Sequence, residues 1–305
     1  MIAKFKKNKR FLPLYLMFLP GALYLIINNY IPMAGLVVAF KKYNVKAGIW
    51  QSAWNGLENF KFLFVTNDAW VITRNTILYN VAFIIINTVV GITFAIFICD
   101  TLSKKMKKIY QSAVLFPYLM SSVIVGYIVF AFFSHSTGIV NNTILPALGL
   151  DGINWYSESK YWPYILVFVN TWKSVGYGCL IYISTINGID GSMYEAAMLD
   201  GASKWKQIKY ITLPSLLPTV ITLTLMNIGR IFYSDFGLFY QVPRNSGMLY
   251  STTNVIDTYV YRGLMEQSNV GMSAAAGFYQ SVVGFILVVL ANYVVSKISK
   301  ENALF

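Results

Sequence analysis

Two cysteines and one histidine in 305 residues leave little material for metal or thiol chemistry. Cys99 and Cys179 share no C-x-x-C or metal-ligand spacing, and both fall in apolar runs where a free cysteine is a small packing residue. His135 has no sequence partner. The chain has no H-E-x-x-H, no G-x-S-x-G and no G-x-x-x-x-G-K-[ST], so metal hydrolysis, acyl transfer and nucleotide hydrolysis each lack their required groups. Charged residues make up only 12% of the chain, and acids number 12 against 24 Lys and Arg. The resulting +12 has no soluble basic domain or recognition motif behind it, which argues against a nucleic-acid partner.

What is abundant is hydrocarbon. Hydrophobic residues make up 56% of the chain, and the mean hydropathy is +0.55. Both exceed what a soluble globular surface carries. About 20 mainly apolar residues cross roughly 30 Å of bilayer core. Segments 12–40, 75–100, 109–133, 161–186, 213–233 and 272–298 meet that length. The expectation is an all-α polytopic membrane protein, one domain over residues 1–305, with six transmembrane helices and both termini on one side. Pro13, Pro20 and Pro32 suggest a kinked or split first span. That span is too long, and lacks the small-residue cleavage site, for a removable signal peptide.

Orientation follows from Lys and Arg in short loops near helix ends. Lys4, Lys6, Lys7, Lys9 and Arg10 precede the first span; Lys104, Lys105, Lys107 and Lys108 lie between the second and third. Lys204, Lys206 and Lys209 lie between the fourth and fifth, and Lys297 and Lys300 follow the sixth. These four groups face the cytoplasm together, where they also meet anionic lipid head groups. Lys41, Lys42 and Lys46 dissent from the outer side.

One cytoplasmic stretch stands out: SMYEAAMLDGASKWKQIKYITLP. Ser192 precedes Glu195 by three residues, a capping-box spacing that would start a short helix over about 193–201. Ala196 and Ala197 flatten one face, Gly201 permits a turn, and Ser203 can cap the next piece, which leads to Pro214. Glu195, Ala196, Ala197, Gly201, Ile211, Leu213 and Pro214 together resemble the signature loop of the membrane-spanning subunits of bacterial ATP-binding cassette importers. The alternative is an interfacial amphipathic helix without a partner. LPGALYLIINNYIPMAGLVVAFKKYN, GLENFKFLF, RNTILYNV and NTWKSVGYG look like permeases for oligosaccharides, and the run over 30–41 is similar to a subgroup for polysaccharide fragments.

The resemblance implies a non-catalytic permease in the bacterial cell membrane, working with a second permease, two ATPase subunits and an extracellular solute-binding protein. It implies no cofactor in this chain, with ATP and magnesium held by the ATPases. The loop would be a coupling helix, with Tyr194, Glu195, Ala196, Ala197, Asp200, Gly201, Ala202 and Trp205 facing the ATPase. Small residues there would let two backbones approach closely, while acids offer charge to the partner.

Polar groups at membrane depth normally face an interior or water. Asn170, Trp172, Lys173 and Tyr177 in the fourth span, with Asn227, Arg230, Tyr233 and Asp235 at the fifth, are the candidates for a saccharide path. Interfacial anchoring of the aromatics and pairing of Arg230 with the second permease remain open. The polar segment 236–271 would lie outside, receiving the binding protein or packing on the second permease. A permease for a different solute is the alternative function. An ion-coupled carrier would show clearer internal repeats than the faint one here, and an intramembrane enzyme would need paired catalytic groups that the spans lack.

Overall fold

A computed structural model of the chain describes residues 11–298; Lys4, Lys6, Lys7, Lys9, Arg10 and Lys300 lie outside them. The chain forms two compact units. One takes in the sequence through Thr66 together with Val260–Phe278, the other Asn67–Tyr259 and the sequence from Tyr279 onward.

In the first unit, α1 runs from Leu12 to Phe40. Its prolines alter the hydrogen bonding rather than splitting the span. Pro32 has no N–H to donate, and the Ile31 N–H reaches back five residues to the Ile26 carbonyl through a π turn over Ile26–Tyr30. The wider turn moves aside the carbonyl that a proline ring would strike. Leu145 before Pro146 and Leu213 before Pro214 make the same bond, to Val140 and Ile208. After α1, Lys41–Lys42 (β1) pairs antiparallel with Ala53–Trp54 (β2). The Lys41 ammonium donates to the Ile49 and Trp50 carbonyls at 2.9 and 2.8 Å. One of the three dissenting cations therefore caps a local turn. Phe40, Trp54, Phe60 and Phe278 form an aromatic cluster with centroids 5.3 to 5.9 Å apart.

The second unit opens with α2, Asp68–Asp100, which begins ahead of the expected 75. The expected single span over 109–133 is instead an elbow. Lys104–Leu119 (α3) and Ser122–Phe133 (α4) meet at 97°. Pro117 sits in a tight 3-10 turn, and Ser121 then caps α4 by accepting the Ile124 N–H at 3.3 Å. A proline followed by a capping serine stops one helix and starts another, even inside an apolar run.

α5 is Trp162–Asn187, α6 Gly191–Leu199, α7 Lys204–Ile228, α8 Phe236–Gln241, α9 Ile256–Met265 and α10 Val270–Ile298. By length and composition α1, α2, α7 and α10 can each cross a membrane, and the α3–α4 elbow makes a fifth if counted as one span. α5 has 26 residues but interrupts its apolar sequence with Asn170 and Lys173.

Two cores sit at opposite ends of this unit. Near α6, Ala95, Ile98, Cys179, Tyr182, Ile183 and Leu216 pack together. At the far end, Trp162 and Leu166 pack with Val125, Leu238, Val242, Leu249 and Val255. The segment over 236–271 is therefore not an open loop. It folds into α8, a turn over Tyr250–Thr253 and α9, and contributes several wholly buried side chains.

α7 ends at Ile228, short of the expected 233, and the backbone is non-helical until α8. A helix end in apolar surroundings must find partners for its orphan carbonyls. Side chains from two neighbouring helices supply them, and one from a third takes a free N–H. Asn80 Nδ2 donates to the Ile231 and Tyr233 carbonyls at 2.9 and 3.0 Å. Gln280 Nε2 donates to the Phe232 carbonyl at 2.8 Å, and Asp257 Oδ2 accepts the Ser234 N–H at 2.8 Å. Gln280→Leu strands the Phe232 carbonyl and is expected to destabilise the purified protein by about 1–3 kcal/mol. An unchanged melting temperature in detergent would refute that role.

Candidate functional site

α6 is bounded at both ends by local chemistry. Its N-cap is Asp190, not Ser192: Asp190 Oδ1 accepts the Ser192 N–H at 3.0 Å. Ser192 thus lies inside the first turn, and the helix covers 191–199 rather than 193–201. Aspartate caps as well as serine does, and it stands one residue before the flexible Gly191. The backbone N–H of Ser192 also holds the exposed Asp190 carboxyl below its usual range.

At the other end Gly201 has φ +74°, the left-handed conformation that glycine adopts without strain. The Gly201 N–H reaches the Met198 carbonyl at 3.0 Å and the Ala202 N–H the Ala197 carbonyl at 2.8 Å. This pair of reversed bonds satisfies the last carbonyls and turns the chain sharply. Ser203 occupies the next cap position by backbone conformation, but its side chain makes no capping bond. Gln207, buried, braces the turn by donating to the Ala202 carbonyl.

One side of α6 is tied to the bundle. Tyr194 Oη and Thr212 Oγ1 lie 2.9 Å apart, and Lys204 pairs with Asp100 beside them. Tyr194, expected to face a partner, is thus half-buried and holds α6 against α7. The other side is bare: Glu195, Ala196, Asp200, Gly201 and Trp205 are exposed, and Ala197 and Ala202 partly so. Met198 is 56% exposed and Leu199 91%. A short helix with two exposed aliphatic side chains beside small residues is a surface shaped for close contact.

The path candidates separate into distinct settings. Asn170 is buried and accepts from Asn87 Nδ2 at 3.0 Å. Lys173 donates to Ser122 Oγ at 2.7 Å and stands 3.7 Å from Asp235 Oδ2. It therefore ties the first turn of α4, just past the elbow, to Asp235, whose Oδ1 caps α8 through the Leu238 N–H. Trp172 faces a different, apolar cavity with Phe94, Phe168 and Val175. Tyr177 stacks on Tyr118, with centroids 5.3 Å apart, and the two rings line a cavity of about 210 Å³ with Asn87, Thr88, Ser174, Tyr182 and Asn227. The Asn87 Oδ1 atom is buried there without a hydrogen-bond partner. Tyr233 and Arg230 are exposed. Asn87 and Tyr118 escaped sequence reasoning, although an amide inside the apolar FIIINTVV run is a visible signal. Among the described residues no cluster of His, Cys, Asp and Glu could hold a metal.

Comparison with known proteins places this geometry. Protein LplB of Bacillus subtilis (strain 168) is 32% identical, covering 95% of this chain and 90% of its own. The polygalacturonan/rhamnogalacturonan transport system permease protein YteP of the same organism is 31% identical over 99% of this chain and 95% of its own. A chain in the crystal structure of a bacterial ABC transporter involved in the import of the acidic polysaccharide alginate superposes with a TM-score of 0.87. It is 31% identical, with 97% of this chain and 99% of that one covered. A second such chain, from the alginate transporter in complex with an alginate pentasaccharide-bound periplasmic protein, gives 0.86 at 32% identity, with 97% and 98% covered. The family described as binding-protein-dependent transport system inner membrane component matches residues 74–300, and the chain belongs to it.

Proposed function

We propose that this chain is the membrane-spanning permease of an ATP-driven importer that receives oligosaccharides, acidic ones included, from an extracellular binding protein. The observation that carries the reading is α6: a capped, sharply terminated helix between α5 and α7 with a bare face of small and aliphatic residues. The names of the relatives, which specify polygalacturonan/rhamnogalacturonan and alginate, support the substrate class.

On this reading the chain crosses the membrane six times with both ends cytoplasmic, α5 being a polar-lined span and the elbow another. A second permease completes the pore, and two ATPase subunits hold ATP and magnesium. Closure of the ATPase pair moves α6, and α6 moves α7 through Tyr194 and Thr212. The bundle alternates between inward-open and outward-open states according to which partner binds each state better. Asn87, Asn170, Tyr177 and Asn227 lie along the proposed path, and Lys173 and Asp235 fix the helix ends that frame it.

Reconstitution tests this directly. The assembled complex in proteoliposomes is expected to accumulate oligosaccharide only with ATP and the binding protein both present. Accumulation driven by an ion gradient without ATP would overturn the reading.

A further inference from the structure

We propose that the turn after α8 forms a subsite for one carboxylate-bearing sugar residue, with the Arg244 guanidinium as the group that takes the carboxylate. The proposal rests on the saccharide reading above and sharpens it to uronate-containing chains.

The turn borders a cavity of about 240 Å³ whose polar lining includes Tyr127, Tyr240, Gln241, Arg244 and Asn245. That volume lies below the roughly 300–1,000 Å³ of drug-sized sites, so it suits one ring rather than a chain. Arg244 Cζ lies 4.2 Å from the Phe130 ring centroid and 6.0 Å from that of Tyr127. A guanidinium stacked on aromatic faces keeps its in-plane N–H donors free for a bidentate carboxylate. Among the described residues no Asp or Glu carboxylate forms an ion pair with it.

The geometry is also held in advance. Arg244 and Asn245 have φ of 55° and 49°, left-handed values uncommon for residues other than glycine. Such conformations commonly follow the end of a helix, and here they shape the turn that leaves α8. Here the Asn245 N–H donates to the Tyr240 carbonyl at 3.1 Å and Tyr250 Oη bonds Asn245 Oδ1 at 3.0 Å. Ser246 Oγ bonds the Tyr156 carbonyl at 3.1 Å. On the opposite wall, Gly126 lets α4 approach so closely that a Cβ there would stand 2.8 Å from the Gln241 carbonyl oxygen. Aromatic walls suit the apolar face of a pyranose, and an uncompensated guanidinium bonds a carboxylate about twice as strongly as the hydroxyls of a neutral sugar. The subsite borders the core that contains Trp162, since α4 and the turn after α8 line the one and contribute Val125 and Val242 to the other, at the end of the unit remote from α6.

The test uses the assembled importer in proteoliposomes with its own binding protein, offered a galacturonate trisaccharide and the neutral galactose trisaccharide. Arg244→Gln is expected to cut galacturonate uptake roughly tenfold, to leave any galactose uptake and receptor-stimulated ATP hydrolysis unchanged, and to be partly rescued by Arg244→Lys. Equal loss for both sugars with weakened receptor stimulation would assign Arg244 to a carboxylate of the binding protein and overturn the subsite. Unaltered galacturonate uptake in Arg244→Gln would overturn it too. A wild-type complex that carries only the neutral sugar would do the same while leaving the importer reading intact. One that carries no saccharide would remove both.

Discussion

Gly201→Leu is expected to abolish uptake and its coupling to ATP hydrolysis while the permease remains folded in the membrane. Nothing lies within 4 Å of where a Cβ on Gly201 would stand, so the change creates no clash inside the chain. Its internal cost is the left-handed φ of +74°, about 1–2 kcal/mol for a side-chain-bearing residue. That strain falls on a surface turn rather than on either core. The leucine side chain, however, projects beside Ala202 and Asp200 into the space where, on the proposed reading, a partner backbone seats. Blocking a central interface position costs at least about 2 kcal/mol, roughly thirtyfold in binding. Uptake and ATP hydrolysis measured beside the melting temperature separate the two effects. Normal transport by Gly201→Leu would remove α6 from the mechanism, and Gly201→Ala should fall between the two.

Gly176→Leu is expected to fail in the opposite way, by loss of folded protein. A Cβ at Gly176 would stand 2.2 Å from the Val114 carbonyl oxygen and 2.9 Å from Leu115 Cα. The obstacles are backbone, so no rotamer change relieves them and α5 must separate from α3. Overpacking typically costs about 1–3 kcal/mol, and a backbone obstacle puts this variant at or beyond the upper end. Gly178→Leu is the control. It lies on the same helix with a similar gain in helix propensity, and its nearest obstacle is a Tyr182 side-chain atom 3.9 Å away. Yield and thermal stability in detergent should collapse for Gly176→Leu and hold for Gly178→Leu. Equal stability of the pair would show that the α3–α5 contact is not tight.

The sequence revealed the long apolar helices because hydrocarbon thickness imposes a length that composition reports directly. It did not reveal the elbow, since Pro117 and Ser121 lie within an apolar run whose mean hydropathy hides a stop and a start. Polar composition likewise disguised 236–271. Its Tyr, Ser and Thr hydroxyls bond backbone carbonyls, as Thr252 Oγ1 does with Ser159, while Leu238, Val242 and Leu249 carry the burial. At α6 the motif spacing located the helix, but Asp190, two residues before Ser192, is the residue that caps it. Tyr194, beside the motif, was among the residues expected to face a partner, yet which side of a nine-residue helix faces the bundle depends on tertiary contacts. Lys173 was legible as a cation at membrane depth, but its partners, Ser122 and Asp235, are 51 and 62 residues away in sequence. Arg244 gave no warning at all, because an arginine in a polar turn looks like solvated charge.

The elbow has a consequence for how the chain is made. α4, with 12 residues, rises about 18 Å, well short of the bilayer core, and α3 opens on four lysines within five residues. Neither half offers the insertion machinery a self-sufficient stop, so both must shelter against neighbours already released into the lipid. Residence of the nascent polypeptide at the translocon should therefore outlast synthesis of this segment until α5 emerges, which brings Gly176 to α3 and Lys173 to α4.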